Sequence, residues 1–93
     1  MVMMRDIKYF ESRGRHIIIN LVDNQSIQYV GQLKNEIKKL PLNFVEIGKS
    51  YIINLKHMRE CHVSYVVMDD GKELGISRAY RNYFNEKILE YNS

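Results

Sequence analysis

The sequence predicts a mainly β domain, a small antiparallel sheet or barrel-like arrangement with a short helix near 32–40 and a C-terminal helix near 78–90. Three observations predict it. Short β-branched and aromatic runs recur along the chain, separated by Gly, Asn, Asp and Ser. The pair Asp70-Gly71 stands between two such runs, a strong local hairpin signal because glycine tolerates positive φ. Only two segments change to helical spacing: Leu33, Ile37 and Leu40, and later Tyr80, Phe84 and Ile88.

In chain order, Asp6 to Glu11 reads as a strand carrying Ile7, Tyr9 and Phe10, and Ser12-Arg13-Gly14-Arg15 as a polar break. His16 to Leu21 is β-branched and fits a strand buried on much of both faces. Asp23 to Ser26 supplies turn residues before a short strand, Ile27 to Val30, so the simplest pairing is an antiparallel hairpin. The first helix turns Lys34, Glu36 and Lys38 away from its apolar stripe and ends at Pro41. Phe44 to Ile47 and Tyr51 to Ile53 are strand-like on either side of Gly48-Lys49-Ser50. Asn54 to His57 reads as a turn and Met58 to His62 as a short strand. Val63 to Met68 and Glu73 to Ile76 flank Asp69-Asp70-Gly71-Lys72. Ser77 is a good N-cap for the last helix, which should run to about Glu90. Tyr9, Phe10, Tyr65 and Phe84 read as core aromatics, Lys8 and Lys56 as solvated charges, and Cys61 as a small, partly buried residue.

A chain of 93 residues suffices for one domain with one core, and no linker, repeat or low-complexity stretch divides residues 1–93. The single cysteine excludes an internal disulfide and suits a reducing compartment. No run approaches the roughly 20 apolar residues that span a bilayer. A cytoplasmic domain with no membrane partner and no cofactor is the expectation.

The net charge of +3 permits a nucleic-acid partner without demanding one. Its distribution is more informative. Ser12 to His16, Gly48 to Tyr51 and Ser77 to Arg81 carry five of the 14 Lys and Arg and no acid, so the rest of the chain is net acidic. A polyanion-binding face needs such segregation.

Three segments in order, Ile7-Lys8-Tyr9-Phe10-Glu11-Ser12, Phe44 to Leu55 with its core Lys-Ser-Tyr-Ile-Ile-Asn-Leu, and Asp70 to Arg81 with Ile-Ser-Arg-Ala-Tyr, resemble the LytTR domain of bacterial response regulators. Gly31-Gln32-Leu33 at the first helix start adds to the resemblance, which covers nearly the whole chain from Asp6. It implies a β-rich fold whose loops enter the DNA major groove, and a role in transcription regulation within two-component signalling. It also implies direct-repeat targets bound as pairs, with a receiver domain upstream in a longer chain. By position, His16 matches a base-contacting residue, Lys49 a base- or phosphate-contacting one, and Arg78 a base-reading arginine; Ser50 and Tyr80 align with polar or aromatic neighbours. The family's second motif usually has histidine and arginine where Gly48-Lys49 stand, and lysine lacks the planar fork of arginine. The family also normally begins with a strand upstream of Ile7, for which Met1 to Met4 is too short; a sheet edge open to a partner is one expectation from this.

The residue chemistry agrees with such a role. Arg78 can present two parallel donors to guanine O6 and N7. Arg13 and Arg15 flank a glycine in a short cationic loop suited to phosphate, and Arg81 would position phosphate one turn into the last helix. Neutral His16 can donate and accept at base edges, and Tyr51 and Tyr80 adjoin the basic loops. Against these readings stand a solvated Arg78, a polar hairpin tip and a structural His16. Gly48-Lys49-Ser50 lacks the preceding glycine spacing of a phosphate loop. An enzyme would have to start from His57, Cys61 and His62, which form no recognisable ligand or triad spacing. The rival outside nucleic acid is a β-rich module binding peptides along a sheet edge. RNA binding would call for a run of exposed sheet aromatics, which does not stand out.

Overall fold

The first hairpin sets the plan of the molecule, in a computed structural model that describes residues 2–93. β1 (Ile7–Arg13) and β2 (His16–Leu21) pair antiparallel with Phe10 opposite Ile19 and Arg13 opposite His16, closed by Gly14 and Arg15. The polar break expected from Ser12 is thus shorter. Ser12 and Arg13 stay in the strand because their neighbours still bond them: Ser12 N–H donates to the Ser50 carbonyl at 2.8 Å. β3 (Ser26–Val30) pairs with the outer side of β2, as the turn at Asp23 predicts. β4 (Phe44–Glu46) pairs with β5 (Tyr51–Asn54), and β5 with β1. The strand order is β3-β2-β1-β5-β4. β1 therefore has a bonded strand on each side, so among the described residues the larger sheet has its free edges at β3 and β4 and not at β1, where an open edge was anticipated.

β6 (Met58–Cys61), β7 (Tyr65–Met68) and β8 (Glu73–Gly75) form a second antiparallel sheet in the order β6-β7-β8. The β7–β8 turn closes as its sequence predicts, with Met68 N–H donating to the Lys72 carbonyl and Gly71 at φ +90°. Val63 and Ser64 lie outside β7 in an exposed loop.

Strand alternation divides the core between the two faces of the larger sheet. Phe10, Ile17, Leu21 and Ile52 pack on one face with Leu33 and Phe44. Tyr9, Val45 and Ile53 pack on the other with Val66, Met68, Leu74 and Ile76 of the second sheet region and Phe84 of α2 (Arg81–Tyr91). A side chain as large as the fully enclosed Phe84 stabilises by about 2–3 kcal/mol on leaving water. Asn54, expected in a turn, ends β5 fully buried, donating to the Ile7 carbonyl and accepting from Asn43 and the Lys56 N–H. Its polar atoms are satisfied, so its burial is tolerated.

Five expectations need correction. The helix near 32–40 is only α1 (Leu33–Glu36) followed by a 3-10 turn, Ile37–Lys39. Leu40 is extended because Pro41 disfavours the helical region for the residue before it. The C-terminal helix opens with a 3-10 turn, Arg78–Tyr80, and Ser77 makes no side-chain cap; its carbonyl accepts from Tyr80 N–H instead. Lys8 is not a solvated charge: it is 7% exposed, because β1 has no solvent face, and its ammonium is paired with Asp70 in the β7–β8 turn. Cys61 is exposed, since β6 is an edge strand with little covering it. Tyr65 is half-buried, stacked on His62 at a ring separation of 4.4 Å.

Candidate nucleic-acid interface

Antiparallel pairing of β1 with β5 puts the first hairpin tip and the β4–β5 loop at the same end of the larger sheet, with Glu11 opposite Tyr51. The bond from Ser12 N–H to the Ser50 carbonyl ties these two loops together. A second backbone bond, from Ser77 N–H to the Ile47 carbonyl at 2.8 Å, ties the β4–β5 loop to the start of the C-terminal helical segment. All three acid-free segments are thereby held side by side. Gly14, Lys49 and Tyr80, one from each, line a common depression of about 480 Å³.

Within this surface Arg13, Arg15, Lys49, Ser50 and Arg78 are exposed, while His16, Tyr80 and Arg81 are half-buried. Among the described residues, Arg15, Lys49, Arg78 and Arg81 enter no ion pair. Arg13 does: its guanidinium meets Glu11 at 3.0 Å. His16 stands opposite Arg13 in the register, on the same side of the sheet. Tyr80 is braced edge-on by Tyr83 at 6.2 Å, and Tyr51 packs edge-on against Tyr9. Arg81 is the least available cation, with its Nε enclosed and without a hydrogen-bond partner.

Two acids border the basic surface, and neither was anticipated. Glu11 is drawn in through Arg13, and Glu46 lines the depression. Burial, and then the Glu46 carboxylate, push the Tyr83 phenol above its ordinary pKa, so Glu46 has an aromatic hydroxyl as neighbour. Ser12, Gln32 and Lys34 also line the depression. Helical spacing placed Lys34 on an outer face, and its place in the same depression as Gly14 depends on tertiary packing that spacing does not encode.

The residues weighed for catalysis are engaged elsewhere. His57 Nδ1 lies 2.6 Å from Asp69 and Nε2 2.6 Å from the Arg5 carbonyl. Burial opposes its charged form, but those two acceptors outweigh burial and the nearby Lys8, raising its pKa. His62 lies 2.9 Å from Glu60, and partial desolvation by the surrounding chain raises the Cys61 thiol pKa although the residue is exposed.

A family model described as the LytTr DNA-binding domain matches residues 1–89 of this sequence. The chain belongs to the LytTR family. A solved structure described as the LytTr DNA-binding domain of a putative methyl-accepting/DNA response regulator from Bacillus cereus has a TM-score of 0.84. It is 22% identical, covering 94% of this chain and 84% of that one, and the likeness shows the fold. No curated protein matches the sequence. As a LytTR chain the molecule is a DNA-binding domain of the kind used in transcription regulation.

The geometry accounts for one way this LytTR chain departs from the expected motif. Gly48 is buried, and a Cβ there would lie 2.6 Å from Ser77 Oγ. The histidine expected at this position would have to displace Ser77. Glycine lets the second and third loops approach closely instead.

Proposed function

We propose that residues 1–93 form one domain that binds double-stranded DNA sequence-specifically, through loops in the major groove, as the output module of a bacterial transcription regulator. The observation that carries this reading is the lateral bonding of three basic loops, through Ser12 to Ser50 and Ser77 to Ile47. Cations distant in sequence become neighbours on one exposed surface. Arg78 reads a guanine through its two parallel donors, worth about 1–3 kcal/mol of discrimination. His16 contacts a base edge, and Lys49 holds a phosphate. Arg13, Arg15 and Arg81 position the backbone, with Ser50 and Tyr80 adding hydroxyl contacts. Direct-repeat sites would seat two copies as a dimer on DNA. In a longer chain a receiver domain would control that pairing, and the assembly would act in the cytoplasm without an enzymatic step of its own.

Duplex binding measured against salt tests the reading. Neutralising five or six phosphates gives a slope of about −5 in log K against log salt. A flat dependence would favour a peptide-binding module along the β3 or β4 edge. Arg78→Ala should relax preference between a selected and a scrambled duplex, whereas Arg13→Ala should weaken both alike. Equal losses on the two duplexes for Arg78→Ala would remove its base-reading role.

A further inference from the structure

Val30 ends β3 with 73% of its surface exposed, although its strand lies beside the core that takes Tyr29 and Ile17. The register explains where it points. Arg13 stands opposite His16, and His16 stands opposite Val30. Directly opposite residues of antiparallel strands project to the same face with Cβ atoms about 4.5–5.5 Å apart. Arg13, His16 and Val30 therefore form one row across three strands at the basic end of the sheet. Gly31 N–H donates to the Arg15 carbonyl at 3.1 Å, which holds the end of β3 against the hairpin tip. Tyr29 turns to the opposite face, where it packs on the core.

An uncovered valine in this row carries no donor or acceptor, and its β-branch restricts χ1, so it offers a fixed apolar surface. In the major groove one base feature suits such a surface, the C5-methyl of thymine. We propose that Val30 is a specificity-determining residue that packs against a thymine methyl beside the base met by His16. The proposal rests on the reading that this end of the domain enters duplex DNA. It adds to the basic loops a base preference that no arginine or lysine supplies.

The probe is a duplex selected from a random pool by the wild-type domain, remade with each thymine in turn replaced by deoxyuridine, which lacks only the methyl. At one position the replacement should weaken wild-type binding about fourfold, the effect of exposing one methyl-sized group. Val30→Ala should bind the parent duplex more weakly by a similar factor and be indifferent to deoxyuridine at that same position. The exposure of Val30 means that this variant removes nothing from either core. The proposal is overturned if no deoxyuridine replacement affects the wild-type domain, or if Val30→Ala retains the full sensitivity. Failure of the underlying reading would look different: no duplex would emerge from the pool, and both would fall together.

Discussion

The half-buried pair of Lys8 and Asp70 should respond unequally to removal of its two partners. The Lys8 side chain is 8% exposed and that of Asp70 36%. Asp70→Asn leaves an ammonium in a nearly dry site, while the amide oxygen can still accept from Lys72 N–H, as Asp70 Oδ1 does at 3.0 Å. Stripping a fully buried ion of its partner costs about 3–5 kcal/mol. Water already reaches the Asp70 end and screens the pair, so the expected loss is nearer to ~2 kcal/mol. For a domain of this size that lowers Tm by roughly 10 °C. Lys8→Met keeps the unbranched stem in place and lets Asp70 turn to solvent, at a cost below about 1 kcal/mol. The double variant should recover most of the Asp70→Asn loss. Thermal and urea unfolding at neutral pH, followed by circular dichroism, measure all three. A Lys8→Met loss equal to that of Asp70→Asn, or a double variant no more stable than Asp70→Asn alone, would refute the argument from buried charge.

His57 has its pKa raised in the folded state, so its contribution is complete below the unfolded value of about 6.5 and is lost as pH rises through the folded value. Urea midpoints should accordingly fall across that window for the wild type and fall less for His57→Gln. Phe84→Ala empties the centre of the core between the two sheets and should cost about 3–5 kcal/mol, a loss readable in denaturant titration. Glu11→Gln frees Arg13 from its ion pair and removes an acid beside the basic loops. It should tighten binding to selected and scrambled duplexes alike by about twofold to fivefold, with an unchanged or weakened affinity counting against the interface.

Much of the fold was legible wherever local chemistry and burial agree. His16 to Leu21 is a strand over the predicted residues, because a β-branched run is stable there whichever face is covered. Asp70-Gly71 closes the predicted hairpin, since its glycine takes a backbone conformation that most residues resist. The spacing of Leu33 and Ile37 located the first helix, but the effect of Pro41 on Leu40 shortened it. Lys8 was misjudged because a single lysine in an alternating strand carries no signal that both faces are covered. Cys61 was misjudged for the converse reason, as nothing local marks β6 as an edge.

The same division holds for the candidate interface. The residue types and the acid-free character of the three basic segments can be read directly, and so can their likeness to LytTR motifs. Their adjacency cannot. It depends on β5 pairing with β1 and on the contacts from Ser12 to Ser50 and from Ile47 to Ser77. Most strands, the main turns and the cationic groups can be read from the residues alone, because backbone preference and side-chain charge are local properties. That Glu11 engages Arg13, that Gly48 meets Ser77 and that Val30 joins the row of His16 emerges with the folded chain, because those relations arise from hydrogen-bonded registers between separate segments.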